Sequence, residues 1–205
     1  MTLKTARIFF VTLAALSLAG LCRAQQRPVD GGSEIEIWTG GGHGTNGSTS
    51  SDSVFNAGVR YGWILTKAHG PGFLRGKFEY AIDAVPVFLV FQPANTAYGA
   101  GFNPINLKWN FVSDRRFAPY LELGGGVLFS NHTVPTGTSS VNFTPTGAIG
   151  IHYFTDRATY SAELRFLHIS NAGLVEPNPG INTIEVRIGL GWFTHGHQDH
   201  KRGTP

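Results

Sequence analysis

The sequence predicts an all-β chain folded as an eight-stranded antiparallel β-barrel of the outer-membrane kind. Three observations lead there. Segments that alternate apolar and polar residues with period two follow one another, separated by turn residues. No stretch carries the start and stop signals of a helix. The polar rows mix Arg, Lys, Glu and Asp at neighbouring positions, as a salt-bridged barrel interior would. Aromatics at 12% and 27 glycines fit the same class.

Residues 1–24 read as a secretory signal peptide. MTLKTAR is basic, IFFVTLAALSLAGL is apolar but too short to span a membrane as a helix, and CRA offers a cleavage site after Ala24. A lipoprotein reading through Cys22 is weak because Leu21 stands where a small residue is wanted. Cleavage removes the single cysteine, which excludes disulfides and thiolate chemistry. It also removes Lys4, Arg7 and Arg23, which account for the formal charge of +3. The remainder is balanced, so the basic pI does not argue for nucleic acid. One domain is expected over 25–194, followed by a polar, His-rich tail over 195–205.

The eight segments are 34–42, 54–66, 73–85, 105–112, 118–130, 141–154, 159–170 and 182–194. Between them lie HGTNGSTSSD, KAHGPG, the long PVFLVFQPANTAYGAGFNP, SDRR, NHTVPTGTSS, TDRA and NAGLVEPNPGI. Sorting each segment by parity separates two faces. In the second, Phe55, Ala57, Val59, Tyr61, Trp63 and Leu65 oppose Arg60. In the third, Leu74, Phe78, Tyr80 and Ile82 oppose Arg75, Lys77, Glu79 and Asp83. In the fourth, Leu107, Trp109 and Phe111 oppose Asn106, Lys108 and Asn110. The seventh sets Tyr160, Ala162, Leu164 and Phe166 against Ser161, Glu163 and Arg165. The eighth sets Ile184, Val186, Ile188, Leu190 and Trp192 against Thr183, Glu185 and Arg187.

A soluble barrel would turn the apolar face inward, whereas a membrane barrel turns it to lipid. The mixed charges, the even strand number and aromatics toward strand ends (Trp38, Trp63, Trp109, Trp192, Tyr80, Phe111) favour the membrane barrel. Eight strands leave an interior filled by side chains, which argues against a general diffusion pore. The shorter turns KAHGPG, SDRR and TDRA belong on the periplasmic side, which puts the end of the seventh strand at the outer rim.

His168 and Ser170 continue the lipid-facing row of the seventh strand, and Asn182 heads that of the eighth. Three polar side chains therefore converge on the barrel's outer surface. A polar group facing lipid is costly unless it is paired or lies among headgroups. A rim position among headgroups is the plain structural explanation. The chemical one is a serine activated by a histidine on the same face, which spacing i, i+2 on a strand supplies.

HISNAG followed by PNPGIN, after PYLELGGGVLFSN and VNFTPTGAIGI, resembles the lipid A 3-O-deacylase family (PagL-like), best over residues 118–193. The resemblance implies an outer-membrane barrel that removes the 3-O-linked 3-hydroxyacyl chain from lipid A with a Ser-His-Glu triad on its outer surface. It implies Ser170 as nucleophile, His168 as base, and Asn171 with the backbone N–H of Gly173 as oxyanion hole. The family's glutamate falls on Asn182. Glu185 has the opposite parity and Glu176 lies in the loop, so Asn182 is the residue expected to orient His168. The expected partner is lipid A within lipopolysaccharide and its membrane, with no cofactor, no metal and no nucleic acid, and with a homodimer left open.

The tail histidines His195, His197 and His200 read as a solvated end, and His152 as interior filling. GGGHG at 40–44 and GGG at 124–126 lack the strand–loop–helix setting of a phosphate loop and read as room for curvature or close packing. PVFLVFQP (86–93) either extends the third strand or dips into lipid. Two rivals to the deacylase remain: a barrel that keeps the motif without hydrolysis, and a soluble barrel with an apolar ligand inside.

Overall fold

A computed structural model describes residues 27–45 and 51–194. The expected signal peptide and His-rich tail lie outside the described residues. Nine strand segments are present among the described residues: β1 (Ser33–Gly44), β2 (Ser53–Ile64), β3 (Gly76–Phe91), β4 (Thr96–Phe111), β5 (Phe117–Ser130), β6 (Val141–Phe143), β7 (Thr146–Phe154), β8 (Thr159–Ile169) and β9 (Ile181–Phe193). All pairings are antiparallel. Each strand pairs with its neighbours, β9 closes on β1, and β6 and β7 both pair with β5. β6 and β7 are two pieces of one strand interrupted at Thr144–Pro145, so the wall is a closed barrel of eight. Closure satisfies every ladder without leaving an edge, the condition for a sheet surrounded by lipid.

The wall has a front end, with connections 45–52, 92–95, 131–140 and 170–180, and a back end, with connections 65–75, 112–116 and 155–158. Two connections differ from expectation. The apolar PVFLVF stretch belongs to β3 and TAYGAGFNP to β4, so the expected long connection shrinks to residues 92–95. The prolines that suggested a loop sit at bulges, where the register shifts between Val85 and Phe88 and between Phe102 and Ile105. A bulge tolerates a missing N–H. Conversely, 73–75 leave the third strand: Gly72–Leu74 form a 3-10 turn inside a longer connection.

Parity holds around the barrel. Val59, Tyr61, Leu107, Leu121, Ile149, Leu164, Val186 and Ile188 are exposed on the outer surface, while Glu34, Arg60, Asp83, Lys108, Glu122 and Arg187 are buried inside. This inversion suits a lipid surround and not water. One aromatic departs from the girdle expected for it. Trp38 lies inside, 4% exposed, because Gly58 opposite leaves no side chain in its place and Arg187 lies over its ring at 4.0 Å. Tyr61, Trp63 and Tyr80 do cluster outside near the back end, Trp63 against Tyr80 at 5.8 Å.

The interior is layered. A polar belt is sealed in front by Val54, Phe88, Val90, Leu128, Leu167, Ile169 and Ile181, and behind by Ile64, Ala118, Phe154 and Phe193. In the belt, Arg60 forks between Asp83 (Nε to Oδ1 2.7 Å) and Glu122 (Nη2 to Oε1 2.7 Å). Arg165 joins Glu122 to Glu163, Arg187 reaches Glu36 at 2.9 Å, and Lys108 reaches Glu34 at 2.5 Å. A cavity of about 20 Å³ beside Trp38 and Arg187 has room for at most one water. Behind, the Arg27 guanidinium donates to the carbonyls of Ser113, Asp114 and Arg115 and lies over the Phe154 ring, folding residues 27–32 across the mouth.

Arg60→Met is expected to destabilise the barrel by about 3–5 kcal/mol, since it leaves two buried carboxylates without their shared cation. The loss is read as a lower temperature for the heat-modifiable electrophoretic shift of the folded barrel in detergent.

Candidate active site

The break between β6 and β7 shapes the site. Pro145 has no N–H to continue the ladder, but its carbonyl accepts the His168 N–H at 3.0 Å. Two residues on, Ser170 pairs with Phe143 through both backbone bonds (2.7 and 3.1 Å), so the chain stays pinned after β8 ends. On its other side β8 pairs with β9, and His168 lies directly opposite Asn182.

This register brings the three side chains together. His168 Nε2 lies 2.9 Å from Ser170 Oγ, and His168 Nδ1 lies 2.6 Å from Asn182 Oδ1. An amide oxygen facing Nδ1 selects the Nδ1–H tautomer and leaves Nε2 as an acceptor for the serine hydroxyl. The row is on the outside of the wall, continuing Leu164 and Phe166, with exposed Phe143 and Ile184 beside it. Ser170 itself is 8% exposed, at the start of the 170–180 connection.

That connection is organised by Asn171, which is buried. Its Oδ1 accepts the Gly173 N–H at 2.8 Å, its Nδ2 donates to the Val175 carbonyl at 2.9 Å, and its own N–H reaches Asn178 Oδ1 at 3.3 Å. The two groups expected to form an oxyanion hole are thus bonded to each other, and one Nδ2 proton of Asn171 remains beyond the bond to Val175. Ala172 and Gly173 both have positive φ (56° and 77°), which makes the turn tight. Of the other carboxylates considered for the third position, Glu185 faces the interior and accepts from Asn56 Nδ2 at 3.0 Å, and Glu176 is exposed in the loop.

The sequence reading missed Gly180. Its φ is +63°, and a Cβ there would lie 2.8 Å from His168 Cε1, so the imidazole rests in the space of the absent side chain. PNPGIN gave the signal, since glycine just before a strand marks a turn or a close approach.

A closed eight-stranded barrel with its apolar face outward and this polar cluster on that face defines an outer-membrane β-barrel protein. The model of the PagL family, lipid A 3-O-deacylase, matches residues 55–191, and the chain belongs to that family. The structure is similar to the crystal structure of the outer membrane enzyme PagL, with TM-score 0.58 and 21% identity, covering 75% of this chain and 97% of that one. It is also similar to Neisserial surface protein A, with TM-score 0.56 and 12% identity, covering 81% and 99%. No curated protein matches the sequence significantly. The fold and the family place the chain in the bacterial outer membrane.

Gly180→Ala is expected to push the His168 ring away from Ser170 and, by forcing alanine into a left-handed conformation, to cost about 1–2 kcal/mol. A crystal structure of the variant would show the Nε2–Oγ bond broken while the β8–β9 register is kept.

Proposed function

We propose that the chain is an outer-membrane esterase that removes the 3-O-linked 3-hydroxyacyl chain from lipid A, with Ser170 as nucleophile and His168 as general base. The observation that carries this reading is the continuous run Ser170 Oγ–His168–Asn182 Oδ1, at 2.9 and 2.6 Å, on the lipid-facing side of the wall. With the front end toward the cell exterior, the cluster meets the leaflet that holds lipid A. Its substrate then reaches it by lateral diffusion.

Ser170 Oγ attacks the ester carbonyl as its proton passes to His168 Nε2. The tetrahedral intermediate collapses and expels the sugar oxygen, which takes that proton. Water then attacks the acyl-Ser170 ester, giving its proton to His168; the second tetrahedral intermediate expels Ser170 Oγ, which takes that proton back, and the 3-hydroxy fatty acid leaves. The free Nδ2 proton of Asn171 is the first oxyanion donor. The Gly173 N–H joins it when the developing oxyanion replaces Asn171 Oδ1 as its acceptor. Each such donor contributes about 3 kcal/mol in the transition state. Asn182 holds the Nδ1–H tautomer but adds no charge to balance the imidazolium. That is the specific observation favouring a second reading, a lipid-binding barrel with little turnover.

Mass spectrometry of lipid A from lipopolysaccharide-bearing cells expressing the chain is expected to show loss of one 3-hydroxyacyl group, and Ser170→Ala to abolish that loss. Unchanged lipid A with wild-type barrel folded in the outer membrane would favour the second reading. Asn182→Glu is expected to raise turnover, by up to ~10⁴ if the site responds as a serine protease triad does to the reverse change.

A further inference from the structure

A second His–Ser pair lies on the same outer face. His43, near the end of β1, and Ser53, the first residue of β2, are register partners, and His43 Nδ1 lies 2.7 Å from Ser53 Oγ. His43 is exposed in the outward row of β1 that includes Ile37, and Ser53 is half-buried in the outward row of β2. It is joined to the first cluster. Thr45, two residues beyond His43, donates both its N–H (2.9 Å) and its hydroxyl (3.2 Å) to the carbonyl of Asn182. β1 and β8 flank β9, where His43 pairs with Ile184 and His168 with Asn182, so the two histidines are two strands and two residues apart, about 12 Å at ordinary strand geometry.

We propose that His43 and Ser53 form a second contact for the lipid's headgroup, taking a sugar hydroxyl on the saccharide unit next to the one whose ester is cleaved. The proposal rests on the deacylase reading for the identity of the lipid. Lipid A is a disaccharide, and Ser170 lies two strands and four residues from His43, about 16 Å at ordinary strand geometry, a span that two sugar rings cover once the ester link at one end and a hydrogen bond at the other are added. The His43 ring is exposed, so its Nε2 is accessible to an outside group. Either ring tautomer suits a hydroxyl, which both donates and accepts, whereas a phosphate accepts only. Asp52, buried in the same connection and within electrostatic reach of His43, also disfavours an anion there. The distribution of charge agrees: the exposed bases Lys67, Arg75, Arg115, Arg116 and Arg157 all lie at the back end, so the front rim meets the headgroup with imidazole, hydroxyl and amide groups.

The test is lipid A binding in detergent micelles, followed by native mass spectrometry, with Ser170→Ala present throughout so that hydrolysis does not intervene. Adding His43→Phe is expected to weaken binding roughly tenfold, the worth of one good polar contact, and Ser53→Ala several-fold. Lipid A stripped of its phosphates is expected to show the same losses. Binding unchanged by both variants in folded barrels would overturn the proposal, as would a loss seen only with phosphorylated lipid. Because binding is read without turnover, failure here is distinct from failure of the deacylase reading, which the lipid A mass assay tests separately. If His43→Phe does not fold, Ser53→Ala alone decides.

Discussion

Arg60 joins β3 to β5 from β2, through Asp83 and Glu122, at the centre of a barrel whose outside must be apolar. Every other feature depends on this arrangement. A wall in lipid has to bring its charged residues inside, and charges inside must be paired or the fold fails. Arg165, Arg187 and Lys108 extend the pairing to β8, β9, β1 and β4, so the ionic belt ties nearly every strand to another. The apolar layers in front and behind keep water from the belt and close the barrel to passage.

A rigid wall is what gives a surface site its precision. His168, Ser170 and Asn182 sit outside a strand pair whose register is fixed by the ladder and by the interior row Arg165, Leu167 and Ile169. Their relative positions are therefore set by the fold and not by the loop. The loop contributes something different: Asn171 braces it, the positive-φ pair Ala172 and Gly173 turns it, and Gly180 makes room for the imidazole. The strand break at Pro145 lets β8 run past its partner and pair with Phe143, which holds the serine at the rim.

Much of this was legible in the sequence because a strand has a period of two. Parity alone put Arg60, Glu163 and Arg187 inside and His168, Ser170 and Asn182 together outside. Parity fails where the ladder is irregular. Pro86 and Pro104 read as loop residues, yet both sit at bulges inside long strands, since a bulge hides the cost of a missing N–H. Trp38 was assigned to a girdle by its residue type, although its even position groups it with Glu34 and Glu36 inside. The His43–Ser53 pairing and the seat at Gly180 depend on register between strands, which no single segment encodes.

The central claim is that Ser170 is a nucleophile activated by His168 on the membrane-facing wall. The most direct measurement treats the folded barrel in outer-membrane vesicles with a lipophilic fluorophosphonate and locates the adduct by peptide mass spectrometry. The account predicts one adduct, on Ser170, that disappears in His168→Asn. A folded barrel that forms no adduct, or one whose labelling survives loss of His168, would contradict it.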